Sequence, residues 1–88
     1  MLDEYKMVNI LESQAIGIAE IVAKHYLKYD VISSKRTGDC ITVKTSIGVE
    51  LIFRLGDLVD FIAKKTNRLS YKLSDSFCTS TYYLERHL

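Results

Sequence analysis

Between Asp3 and about Tyr29 the apolar side chains return every three or four residues, and the arc they cover is too wide for a single neighbour to bury. Val8, Leu11, Ala15, Ile18, Val22 and Tyr26 mark the centre of that arc, while Lys6, Asn9, Ser13, Glu20, Lys24 and Lys28 mark the opposite stripe. Projected at about 100° per residue, Met7, Ile16, Ala19, Ala23 and Leu27 join the apolar side, so the arc is about twice the ~100° a surface helix needs. A helix of about 27 residues at 1.5 Å each is a rod of about 40 Å. A domain of this length has a diameter of only about 30 Å. The rod therefore overhangs or bends, and a second copy of the chain is the simplest cover for it. Val8, Leu11, Ala15, Ala19, Val22, Ala23 and Tyr26 are the expected homodimer interface, with the alanines repeating every fourth residue to let a partner approach closely. Glu20 and Lys24 stand one turn apart in the favourable order.

After the rod the period changes to two. Ile41, Val43 and Thr45 alternate on one side of a strand, and Val49, Leu51 and Phe53 on one side of the next. Ser46-Ile47-Gly48 fits a three-residue hairpin loop whose last residue is left-handed. That loop sets Val43 opposite Leu51, Ile41 opposite Phe53, and Lys44 opposite Glu50 on the far face. An earlier turn at Thr37-Gly38 adds a third strand from Val31, with Arg36 facing Asp39 and Ile32 joining Val43 on the apolar face. Gly56-Asp57 ends the meander, and Asp57 and Asp60 suit the start of a second helix. Leu58, Ile62, Leu69 and Leu73 keep helical spacing, so that helix is expected to reach at least Thr66 and to extend as far as Leu73. The β-branched and aromatic stretch from Phe77 to Leu84 then reads as a short C-terminal strand, with helix as the alternative. The expected fold is a single α+β domain over residues 1–88: a long N-terminal helix, a three-stranded antiparallel meander, a second helix and a short strand, in the order α-β-β-β-α-β.

Composition bounds the function. Eighty-eight residues make one core, and the 48% apolar and 26% charged fractions are those of a globular domain. Twelve basic and eleven acidic residues give a net charge of +1, so no overall field singles out nucleic acid or a membrane surface. The acidic start, Asp3 and Glu4, and the lack of an apolar run of membrane length point to the cytoplasm. Cys40 and Cys78 match neither a metal-binding nor a redox spacing. With two histidines and no glycine-rich phosphate loop, no cofactor or metal is implied and catalysis is not expected.

Two surfaces remain. Lys35, Lys44, Glu50, Ile52 and Arg54 fall on the outer sheet face, and Tyr82 and Tyr83 point to opposite faces of the last strand. Together they are the expected contacts for a protein partner, since tyrosine offers large contact area at low entropic cost. Lys64, Lys65, Arg68 and Lys72, with Tyr71 among them, form a basic stripe if the second helix continues. Such a stripe would neutralise phosphates while the ring stacks on a base. The helix dipole alone also gathers cations at a helix end. The element order is shared with double-stranded RNA-binding domains, but Asp57 and Asp60 stand where those domains carry phosphate-binding lysines, which argues against that family. The sequence therefore favours a non-catalytic adaptor, inhibitor or regulator acting as a homodimer, with nucleic-acid binding as the alternative. Compact chains of this kind are common on phages and other mobile elements, which makes such an origin the expectation.

Overall fold

The computed structural model describes residues 14–86 and shows a mixed α+β fold: one antiparallel sheet of five strands with two helices against one face. Helix α1 spans Ala15–Ile21 and widens into a π-helical turn over Val22–Tyr26. The strands are β1 (Val31–Thr37), β2 (Cys40–Thr45), β3 (Glu50–Arg54), β4 (Arg68–Ser74) and β5 (Thr79–Glu85). Helix α2 (Leu55–Ile62) lies between β3 and β4 in the chain. The strands lie in sequence order, so β1 and β5 are the two edges of the sheet among the described residues.

Alternation decides which face is buried. Ile41, Val43, Leu51, Phe53 and Leu69 are fully enclosed on the inner face, where α1 packs on β1 and β2, and α2 packs on β3 and β4. Each such side chain removed from water stabilises the fold by about 1.5–3 kcal/mol before conformational entropy is counted. Phe61 closes the seam between the helices. Its ring meets Tyr26 edge-on at 5.9 Å, and Arg86 covers it at 4.1 Å while donating from Nη2 to the Phe61 carbonyl at 2.9 Å.

The central hairpin follows the sequence pattern. Ile41 opposes Phe53, Val43 opposes Leu51 and Lys44 opposes Glu50. Gly48, at φ +84°, ends the loop, and the buried Thr45 hydroxyl donates to the Val49 carbonyl at 2.8 Å. The β1–β2 pairing differs from expectation by one turn position. Gly38, at φ +57°, is the first of two central turn residues, so Thr37 pairs with Cys40 and the register moves by two. Arg36 consequently opposes Ile41 rather than Asp39, and Ser34 takes the place opposite Val43 that Ile32 was expected to fill. A register shift between Val31 and Ser33 leaves Ile32 outside the ladder and 67% exposed.

The second helix is shorter than its apolar spacing suggests. It stops at Ile62 because Lys64 turns left-handed at φ +62°. Lys64 N–H then donates to the Phe61 carbonyl at 3.2 Å and Lys65 N–H to the Asp60 carbonyl at 2.9 Å, the paired bonds of a Schellman stop. Leu69 and Leu73 belong to β4 instead, where with Tyr71 they alternate onto the inner face. The sheet thus has five strands where three plus a short one were expected. The rod also ends early: Lys28, at φ +64°, terminates it, and Tyr29 N–H donates to the Ala23 carbonyl at 2.9 Å. The Glu20–Lys24 pair forms at 3.9 Å. Ala15, Ala19, Val22 and Ala23, assigned above to a dimer interface, are at most 2% exposed within the single chain. They pack into its own core, which corrects that assignment; Tyr26 leans on Phe61, and Val8 and Leu11 lie outside the described residues.

Candidate functional site

Among the described residues both helices lie against the inner face of the sheet, and no element covers the outer face. Directly opposed residues in an antiparallel ladder share a face. Lys35, Thr42, Ile52, Lys72 and Thr81 therefore form one row across all five strands. Ser33, Lys44, Glu50, Ser74 and Thr79 form the next row. At the opposite end Arg54, Ser70, Tyr83, Arg68 and Glu85 complete the face. Lys35, Lys44, Glu50, Ile52, Arg54 and Tyr83, expected from sequence to meet a partner, are thus brought together. Tyr82 is not among them: it lies on the inner face at the β5 edge, opposite Tyr71.

The basic stripe assigned to the second helix does not exist as a helical feature. Lys64 and Lys65 sit in the turn after α2, whereas Arg68 and Lys72 project from β4 on the outer face. Tyr71 points the other way. It packs between Phe53 at 5.9 Å and Tyr82 at 6.1 Å, where burial, and then the neighbouring Tyr29 and Tyr82 hydroxyls, push its hydroxyl pKa above the ordinary value. It is therefore unavailable to stack on a base beside Lys72. The ring on the cation side is Tyr83, which the Arg68 guanidinium covers at 3.7 Å while its Nε stands 4.0 Å from the Glu85 carboxylate. The alternation of Leu69, Tyr71 and Leu73 carried the signal for this arrangement, but Leu69 and Leu73 equally satisfy helical spacing.

Two shallow grooves of about 310–320 Å³ score this face where α2 leaves the sheet. One is lined by Ile52, Arg54, Asp57 and Lys72, the other by Asp57, Asp60, Arg68 and Tyr83. The start of α2 is held here by the Leu55 N–H, which donates to the Asp39 carbonyl at 2.7 Å. Asp57 sits in the helix's first turn, where the dipole favours a carboxylate. Acids and bases therefore alternate: Arg54, Arg68 and Lys72 stand among Asp57, Asp60 and Glu85, and Lys44 directly opposes Glu50.

No family model, curated protein or solved structure matches this chain. Among the described residues, no group of three or more histidine, cysteine or acidic side chains is placed to hold a metal ion, and no helix is long and apolar enough to cross a membrane. Cys40 and Cys78 are both free and exposed.

Proposed function

We propose that this protein is a non-catalytic binding module, an adaptor, inhibitor or regulator, that occupies a partner protein through the outer face of its sheet. The observation that carries this reading is the interleaving of charge around Ile52 and Tyr83. A surface with alternating signs selects a partner by matching each charge, and a mismatched partner is rejected by like-charge contacts. A phosphate backbone has one sign only. Glu50 and Glu85 repel it on the face where Lys35, Lys44, Arg54, Arg68 and Lys72 attract it, and Asp57 and Asp60 repel it from the grooves at the end of that face, so the mixed surface favours protein over nucleic acid.

The alternative keeps one observation on its side: Lys35, Lys44, Arg54, Arg68 and Lys72 now share a single face with an aromatic ring. Fluorescence anisotropy with a single-stranded oligonucleotide at low salt separates the two. The protein-binding reading expects no saturable rise, whereas a rise that collapses steeply with added salt supports the alternative. The direct test is Ile52→Ala/Arg54→Ala used as bait in an extract of the native host. Both side chains leave the core intact, so the melting temperature is expected to stay and capture of the partner held by the unaltered chain to fall. Unchanged capture by the double variant removes this face from consideration.

A further inference from the structure

The two edges of the sheet are treated differently by the sequence. β1 carries the irregularity at Ile32 and the cations Lys35 and Arg36, features that deter another strand from pairing. β5 has none of these. Its seven residues pair with β4 from Ser74–Thr79 to Arg68–Glu85 without a break in register, contain no proline, and carry charge only at Glu85. A long, regular, nearly uncharged edge is a template for one more strand. Its outward features are apolar as well: Tyr82 is 46% exposed and Tyr83 53% exposed, with Leu84 half-buried beside them.

We propose that β5 is a self-association edge, at which two copies of this chain pair antiparallel about a two-fold axis at Tyr82 and join their sheets into one. The sequence of β5 is complementary to itself in that register. On the inner face Tyr82 meets its own copy and Ser80 meets Leu84; on the outer face Thr81 meets Tyr83 and Thr79 meets Glu85. No like charges oppose one another. The register also extends an existing stack. Phe53, Tyr71 and Tyr82 already step across three strands at centroid spacings of 5.9 and 6.1 Å. A partner strand about 4.8 Å away places the second Tyr82 on the next rung. The added strand lies in the plane of the sheet, so both outer faces stay open and the doubled face presents two copies of the surface proposed above. The inference does not depend on that reading.

The test begins with mass. Light scattering of the unaltered protein is expected to give twice the 10.1 kDa chain mass, falling towards the single mass on dilution. Tyr82→Lys sets two cations against each other on the axis and is expected to stay at the single mass while keeping the far-ultraviolet circular-dichroism spectrum and a cooperative melt, at a lower temperature because the Tyr71 contact and the dimer are lost. The register is read by disulfide trapping in a Cys40→Ser/Cys78→Ser background. Tyr82→Cys is expected to form a covalent dimer on oxidation, as is Thr81→Cys/Tyr83→Cys, while Thr81→Cys alone does not. A single-chain mass at every concentration up to the solubility limit overturns the proposal, and so does trapping of Tyr82→Cys no faster than of an exposed control such as Ser46→Cys. Capture of a foreign strand at β5 by a protein that stays single on its own is counted in the same way, against self-association.

Discussion

Phe61→Ala is the substitution that should cost this fold most for the atoms removed. The ring is wholly buried, meets Tyr26 edge-on at 5.9 Å and lies under the Arg86 guanidinium at 4.1 Å. Truncating a buried phenylalanine costs about 3–5 kcal/mol, and an edge-to-face pair contributes about 0.5–1.5 kcal/mol of its own. The terms overlap, so the expected loss is about 4 kcal/mol. Domains hold about 0.05–0.15 kcal/mol per residue, which for this chain is about 4–13 kcal/mol. The variant is therefore expected to lie between marginal and unfolded at room temperature. Urea unfolding followed by circular dichroism measures the loss, and Phe61→Leu, which keeps most of the volume, should recover more than half of it. A loss below about 1.5 kcal/mol in Phe61→Ala, the level of an ordinary mutation, would refute the view that this ring joins both helices to the C-terminal end of the sheet.

Among the described residues the Ser34 hydroxyl oxygen, like Arg86 Nη1, is enclosed and has no hydrogen-bond partner. Removing an unsatisfied group relieves a desolvation cost whose lower end is about 1 kcal/mol, so Ser34→Ala is expected to raise the melting temperature by at least about 4–8 °C, and a fall contradicts this. Lys64→Gly removes the left-handed strain at the end of α2 and is expected to stabilise by about 1 kcal/mol in denaturant titration. Asp75 accepts from the backbone N–H groups of Cys78 at 2.9 Å and Phe77 at 2.7 Å, which hold its carboxyl pKa below the ordinary value. Its contribution is present above the unfolded-chain pKa and is lost as pH falls through the lower folded one. Protection of the β4–β5 hairpin amides, taken relative to intrinsic exchange at each pH, should therefore fall on acidification below about pH 4, and Asp75→Ala should abolish that fall.

Much of this architecture was legible where two local signals agreed. The β2–β3 register follows from Gly48 together with the alternation of Ile41, Val43, Leu51 and Phe53, and Lys44 facing Glu50 adds a third constraint. The failures fall where the chain's punctuation is carried by unexpected residues. Both described helices stop at a left-handed lysine, Lys28 and Lys64, positions that glycine more often fills. Without that mark, Leu58, Ile62, Leu69 and Leu73 read as one continuous helix, and the basic stripe followed from the error. The turn at Gly38 shows the sensitivity of strands to register: one turn position placed Ser34 over Val43, and a separate irregularity after Val31 left Ile32 outside the ladder. The outer-face residues of the central strands survived because β2 and β3 alternate so regularly. Tyr83 was already among the expected contacts, whereas Arg68 and Lys72 could join that face only once β4 was known to be a strand.

The claim that the outer sheet face is the working surface is tested most directly by lysine footprinting of the partner complex recovered from the native host. Acetylation is quantified by mass spectrometry for the free and the bound protein. Lys35, Lys44 and Lys72, which stand in two adjacent rows of that face, should lose reactivity on binding, while Lys24 and Lys28 at the end of the first helical segment keep theirs. Protection of Lys24 and Lys28 with Lys35, Lys44 and Lys72 still reactive would place the partner on the other side of the molecule and contradict the account.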